Sequence, residues 1–226
     1  MAEVILALDL PRGADALHLL DRLPRLRWVK VGSVLMTREG APLITALRDR
    51  GLEIFLDLKW HDIPNTVAGA VAAAADLGVS MATVHALGGR KMMEAAVQAA
   101  AGSMRLVGVT VLTSHDDTTF GEVLGRGGIK ASDEVTRLAR TARDAGLDGV
   151  VCSPLEIRTV RETLGRDALV VVPGIRRAGD TAGDQQRTAS PEAAIAAGAS
   201  HLVVGRPVLE SPVPEEALRS MLESAS

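Results

Sequence analysis

Residues 54–66 read IFLDLKWHDIPNT, an apolar run that passes into charged residues and then opens an Ala-rich segment. Successive side chains of a strand point to opposite faces, so Asp57 and Lys59 are predicted to project together, away from Leu56 and Leu58. An ionised group that leaves water without a partner destabilises the fold. Two acids and a lysine grouped at the end of an apolar strand therefore indicate a functional site.

The same order of apolar strand, polar end and helix recurs along the chain. Short apolar runs predict strands at residues 4–8, 28–31, 53–58, 81–85, 105–111, 148–152, 169–172 and 201–204. Amphipathic stretches predict helices at residues 14–23, 42–50, 66–77, 92–101, 132–145, 154–164 and 191–197. This alternation predicts an α/β fold, a single (β/α)8 TIM barrel that forms one domain over residues 1–226. The longer connections, 114–129 and 174–190, are predicted to be loops on the catalytic face.

The amino-acid composition limits the partners and the cellular location that the protein can have. A hydrophobic fraction of 47% and a charged fraction of 23% are typical of a globular protein. The net charge of -3, with two Phe, two Trp and no Tyr, argues against polymeric nucleic acid as a partner. The N-terminal segment reads as a strand, and no stretch approaches the roughly 20 apolar residues of a membrane helix. We therefore expect a cytoplasmic protein without membrane contact. Cys152 is expected to be buried and not to act as a nucleophile.

Polar residues fall at the carboxyl ends of the predicted strands, which meet at one barrel mouth. They are Asp9, Lys30, Asp57, Lys59, His85, Thr113 and Ser114. Arg176 and the pair Gly205-Arg206 follow strands seven and eight, where such barrels commonly bind phosphate. Taken singly, Asp9 or Lys30 is more typical of a solvated or ion-paired residue, and the Arg176-Arg177 pair is also compatible with a solvated loop face paired with Asp180 and Asp184.

Three other polar residues of this region are compatible with purely structural roles. His61 and His85 lack an obvious acidic partner, so hydrogen-bonded structural roles are expected for both. Thr66 is compatible with a simple helix-capping role.

Together the motifs resemble those of bacterial orotidine 5'-phosphate decarboxylases. The resemblance spans nearly the whole chain and rests on DLKWHDIPNT at 57–66, KVG at 30–32, VLTS at 111–114, PGIR at 173–176 and VGRP at 204–207. The D-x-K-x-x-D core is shared with related sugar-phosphate barrels, whereas the IPNT, PGIR and GRP segments are more specific.

The resemblance implies decarboxylation of orotidine 5'-monophosphate (OMP) to UMP and carbon dioxide, the last step of de novo UMP biosynthesis, without a metal or organic cofactor. Lys59 would protonate C6 of the pyrimidine within a Lys-Asp-Lys-Asp array. The other members of that array would be Lys30, Asp57 and Asp62.

The family site is shared across a homodimer, so Asp62 and Thr66 would contribute to the neighbouring subunit's site. Asp9 and Lys30 would hold the ribose, and Thr113 would contact the pyrimidine. The phosphate would be held by Arg176, Gln185, Gly205 and Arg206. Some relatives have a glutamine closer to the PGIR arginine, so the assignment of Gln185 departs from their pattern.

Two alternatives remain open at this point. One is a Mg²⁺-dependent sugar-phosphate decarboxylase or synthase of the same barrel family, which would share only the D-x-K-x-x-D core. The other is a non-catalytic nucleotide-binding barrel, which would need the phosphate loops but not the alternation of Lys and Asp.

Overall fold

The computed structural model describes residues 2–176 and 187–225, and within these ranges eight parallel strands form a closed barrel in sequence order. The strands are β1 (Glu3–Ala7), β2 (Trp28–Gly32), β3 (Glu53–Trp60), β4 (Met81–His85), β5 (Arg105–Val109), β6 (Gly149–Val151), β7 (Leu169–Val172) and β8 (His201–Val204). Because β8 pairs with β1, no strand edge is left open. The predicted (β/α)8 barrel is confirmed.

Helices surround the barrel. They are α1 (Gly13–Asp21), α2 (Ser33–Glu39), α3 (Ala41–Arg48), α4 (Pro64–Asp76), α5 (Arg90–Ala100), α6 (Asp117–Leu124), α7 (Ala131–Asp144), α8 (Ile157–Leu164), α9 (Pro191–Ala197), α10 (Arg206–Leu209) and α11 (Pro214–Ala225). Two 3₁₀ turns, Ala86–Gly88 and Pro154–Glu156, follow β4 and β6. In the described part of the chain, no helix has both the length and the apolar character needed to span a membrane.

Alternation along the strands separates two apolar layers. Inward side chains fill the barrel with one buried cluster, which includes Ile5, Trp28, Phe55, Met81, Val107, Val171 and Val203. Outward side chains of the same strands pack against the helices in a larger cluster. Because side chains two apart share a face, Lys30 follows Trp28 and Asp57 follows Phe55 toward the barrel mouth. The apolar interior thus ends in a charged layer at the carboxyl ends of the strands.

The prediction that residues 114–129 form only a loop was wrong, because α6 lies within this segment. Asp116 caps the helix by accepting a hydrogen bond from the Thr119 backbone N–H, and the Thr119 side chain accepts one from the Asp116 backbone N–H. Gly125 ends the helix in the left-handed conformation. The Asp116 cap and the left-handed Gly125 thus define the two ends of a short helix in a segment with few apolar residues.

The second predicted loop, 174–190, is described only at its ends. Residue Ile175 forms an isolated parallel bridge with Ala189. The Arg176 N–H donates to the carbonyl of Ala189 over 2.9 Å, which closes the two ends on each other. Arg176 is therefore held at the base of this connection.

Candidate active site

The barrel mouth contains a cavity of about 710 Å³, a size typical of small-molecule sites. Eight of the residues predicted to act in the site line it, namely Asp9, Lys30, Asp57, Lys59, Thr113, Arg176, Gly205 and Arg206. They come from strands or connections that are distant in sequence. Closure of the barrel is what brings them together.

The centre of the site is a chain of alternating charges. Lys59 Nζ lies 3.0 Å from both carboxylate oxygens of Asp57. Lys30 Nζ lies 3.7 Å from Asp57 and 3.1 Å from Asp9. A Cβ at Gly32 would lie 3.2 Å from Lys30 Nζ, so a glycine here leaves room for the lysine. Two ammonium groups, those of Lys59 and Lys30, therefore lie close to the Asp57 carboxylate inside the cavity.

The burial of these groups differs. The side chains of Lys30 and Asp57 are 11% and 15% exposed, whereas that of Lys59 is 40% exposed. Ion pairs that are largely removed from water are screened less by solvent and salt. Lys30 and Asp57 thus form the fixed base of the site, and Lys59 is the group most open to a ligand.

The strand that carries Asp57 and Lys59 is irregular. Its pairing with β4 shifts between Leu56 and Trp60, and Lys59 has a left-handed φ of 53°. Asp57 and Lys59 do project together, but simple alternation of a regular strand is not the whole reason. Thr83 contacts both residues, since its Oγ1 accepts from Lys59 N–H over 2.8 Å and donates to Asp57 over 3.1 Å.

Cationic groups that follow β7 and β8 line the same cavity. Arg176 is buried, and its guanidinium donates to the carbonyl of Ile175 over 2.9 Å. Gly205 and Arg206 lie at the start of α10, and a Cβ on Gly205 would lie 3.8 Å from Asp9. Two arginines beside a glycine provide hydrogen-bond donors of the kind that bind a phosphate dianion.

Two described residues of the predicted site do not line this cavity. Asp62 and Thr66 are exposed and are not among its lining residues. The Asp62 carboxylate accepts a hydrogen bond from the Ile63 backbone N–H over 2.6 Å. Gln185 lies outside the described residues.

The two histidines near the site stack on each other, with ring centroids of His61 and His85 separated by 5.2 Å. His85 Nδ1 accepts a hydrogen bond from Leu87 N–H over 3.3 Å. Burial, with the charges of His61 and Lys59, lowers the pKa of His85 to about 4. His85 is therefore a neutral, hydrogen-bonded residue near neutral pH, in agreement with the structural role expected for it.

The thiol of Cys152 is buried, as predicted, although it lies at the cavity wall. Burial, with the nearby Glu156 carboxylate, raises the pKa of Cys152. A thiol that holds its proton is a poor nucleophile. Its contribution here is apolar packing.

Sequence reasoning missed two features of the mouth. Thr83 is a lone hydroxyl residue in an apolar strand, two residues before His85 and therefore on the same face of the strand. Its position in the sequence was the signal that could have identified it. The second feature is a buried ion pair, in which Arg187 Nη1 lies 2.5 Å from Glu156 Oε1. Its partners are 31 residues apart, and nothing in their local patterns connects them.

The chain is similar to known proteins over nearly its whole length. Residues 2–221 match a family model described as "Orotidine 5'-phosphate decarboxylase / HUMPS family". An orotidine 5'-phosphate decarboxylase of Halorhodospira halophila is 54% identical over 95% of this chain and 92% of its own length. One from Dichelobacter nodosus is 49% identical over 97% and 96%. The crystal structure of orotidine 5'-phosphate decarboxylase from Lactobacillus acidophilus superimposes with a TM-score of 0.88, at 36% identity and full coverage of both chains.

Proposed function

Because this chain belongs to the orotidine 5'-phosphate decarboxylase / HUMPS family, we propose that it converts OMP to UMP and carbon dioxide. The names of the relatives at about half identity support a decarboxylase over a sugar-phosphate enzyme of the same family. The observation that carries the proposal is the Lys59 ammonium, 3.0 Å from both oxygens of Asp57 in a cavity that two arginines also line. The chain would act as one catalytic domain in the cytoplasm.

Lys59 is proposed as the proton donor. Loss of carbon dioxide breaks the bond between C6 and the carboxylate carbon and leaves the electron pair on C6. The Lys59 ammonium then transfers a proton to C6, and the resulting amine regains a proton from solvent. A cation fixed where negative charge develops stabilises the transition state more than the ground state.

Asp57 and Lys30 are proposed to hold the Lys59 ammonium in position for proton transfer to C6. Both oxygens of the Asp57 carboxylate contact Lys59, one of them also lies near Lys30, and the other accepts a hydrogen bond from Thr83. Held in this way, Asp57 fixes the Lys59 ammonium through contacts within the same chain. Such preorganisation removes the need for reorientation during the reaction.

The rest of the nucleotide is assigned to the remaining lining residues. Asp9 and Lys30, paired over 3.1 Å, would bind the ribose hydroxyls, and Thr113 would contact the pyrimidine. The phosphate would be bound by Arg176, Arg206, the backbone of Gly205, and Gln185. Binding energy from the phosphate, which does not react, can be used to order the site for the chemical step.

Asp62 and Thr66 are proposed to complete the site of a neighbouring subunit in a homodimer. Both side chains are exposed outside the cavity of their own chain. Between them in sequence, the apolar side chain of Ile63 is 66% exposed. An exposed apolar residue beside polar site residues supports an interface at this place.

The proton-donor role is tested with Lys59→Ala. We expect turnover of OMP to be lost while UMP still binds, because the phosphate and ribose contacts remain. Lys91→Ala, which removes an exposed lysine on α5, is the matched control and should behave like wild type. Substantial decarboxylation by Lys59→Ala would remove Lys59 from the donor role.

The shared site is tested by mixing two inactive variants, Lys59→Ala and Asp62→Ala. A mixed dimer would contain one intact site, so activity should return when subunits exchange. Absence of recovery despite demonstrated exchange would contradict a site shared between subunits.

A further inference from the structure

The irregularity of β3 is centred on one residue of β4. The pairing passes from Leu56 with Ala82 directly to Trp60 with Val84. The three residues between Leu56 and Trp60 therefore stand opposite the single residue Thr83. Bulges of this kind change the direction of side chains and occur often beside active sites.

The bulge places Lys59 in a costly backbone conformation. Its φ of 53° is left-handed, which costs a residue with a Cβ about 1–2 kcal/mol. The shift also removes its N–H from the regular ladder between β3 and β4. Such a conformation persists only where its surroundings hold it, and the contact at this N–H is Thr83 Oγ1 at 2.8 Å.

The Thr83 hydroxyl makes two hydrogen bonds with opposite roles. Since Oγ1 accepts from Lys59 N–H, its own proton remains available for the Asp57 carboxylate, 3.1 Å away. One hydroxyl can donate once and accept twice, so both bonds form together. Thr83 is fully buried at 0% exposure, and water cannot readily replace it.

We propose that Thr83 is a positioning residue for the decarboxylation, an inference that rests on the proposed function. It fixes the backbone of Lys59 and the carboxylate of Asp57 with a single group, and so sets the approach of the ammonium to the reacting carbon. Thr83 does not line the cavity. Its effect on the reaction passes through the two residues that do.

Thr83→Val is the direct test, since it keeps the shape of the side chain and removes the hydroxyl. The Lys59 N–H would lose its acceptor, and Asp57 would lose a donor. A displacement of about 1 Å in a reacting group can cost about 100-fold in rate, so we expect kcat to fall about 100-fold. Affinity for UMP should stay close to wild type, because the ribose and phosphate contacts do not involve Thr83.

Thr110→Val is the matched control. Thr110 is also 0% exposed, and its hydroxyl donates to the carbonyl of Val151 over 2.9 Å, away from Lys59 and Asp57. We expect this variant to lose stability with little change in kcat. Thr83→Ser retains the hydroxyl and should recover most of the lost turnover.

The outcomes separate this proposal from the proposed function. If wild type does not decarboxylate OMP, the proposed function fails. If wild type is active and Thr83→Val keeps its kcat, or Thr83→Ser is as impaired as Thr83→Val, the positioning role is overturned. If Thr83→Val does not fold, Thr83→Ala and Thr83→Ser give the same comparison, and equal kcat values for these two would overturn the proposal.

Discussion

The buried ion pair between Arg187 and Glu156 predicts a large and specific loss of stability when one partner is removed. The two side chains are 12% and 7% exposed. Glu156 also accepts from the backbone N–H of Ser153 over 3.1 Å and from the Ser153 hydroxyl. The second terminal nitrogen of Arg187 donates to the carbonyl of His115. The pair thus connects the segments that follow β5, β6 and β7.

Arg187→Met would leave the Glu156 carboxylate buried without its cation. Breaking a buried pair in this way typically costs about 3–5 kcal/mol. A domain of ordinary stability has only about 5–15 kcal/mol in total. We therefore expect the free energy of unfolding to fall by about 3–5 kcal/mol, a large part of the whole.

The assay is urea unfolding followed by circular dichroism. Arg22→Met is the matched control, because Arg22 and Glu215 form an ion pair with side chains 46% and 40% exposed, and such surface pairs contribute about 0–1 kcal/mol. The double variant Arg187→Met, Glu156→Met replaces both charges with apolar groups. The loss of unfolding free energy in the double variant should be smaller than the sum of the losses in the two single variants.

Two results would refute this reasoning. In one, Arg187→Met costs no more than Arg22→Met, so that burial does not matter. In the other, the two single losses simply add in the double variant. Either outcome would mean that the charges are not coupled in the folded protein.

Three further predictions concern other parts of the fold. Gly149→Ala should cost at least about 1–3 kcal/mol of unfolding free energy in urea, because a Cβ at Gly149 would lie 2.0 Å from the carbonyl oxygen of Leu169; Gly69→Ala, where a Cβ meets nothing within 4 Å, should be neutral or stabilising. Burial and the nearby Arg105 lower the pKa of His201 to about 4. The unfolded state therefore binds more protons at His201 between about pH 6.5 and pH 4, and the contribution of His201 to the free energy of unfolding should fall by about 2 kcal/mol from pH 7 to pH 5, in addition to that of His85. His201→Asn should show a smaller fall, and an equal fall would count against His201 as its source. Arg206→Ala should weaken UMP binding by about 1.5–3 kcal/mol, measured by calorimetry, and leave uridine binding unchanged; equal losses for both ligands would defeat the phosphate assignment.

The barrel was predictable because its signals are local and repeated. Each predicted strand is a short apolar run, and the polar residue at its carboxyl end follows from alternation, as with Asp57 after Phe55. The helices that were missed are α2, α6, α10 and α11. Of these, α6 depends on capping by Asp116 and Gly125 more than on an apolar stripe, and α10 has only four residues.

The fine geometry of the site was not predictable from periodicity. Alternation predicted that Asp57 and Lys59 share a face, but a left-handed Lys59 depends on its partner across the sheet, Thr83. The contact between Arg187 and Glu156 likewise exists only once the connections after β6 and β7 meet at the barrel mouth. Both features are set by tertiary pairing between segments distant in sequence.

The central claim is that this chain decarboxylates OMP without a metal. The most direct measurement follows the ultraviolet absorbance of OMP with purified protein in excess EDTA and identifies the product. We expect the absorbance of OMP to be lost, UMP to form in equal amount, and EDTA to have no effect. Unchanged absorbance together with tight UMP binding would indicate a nucleotide-binding barrel instead, and turnover of OMP that requires Mg²⁺ would contradict a metal-independent reaction.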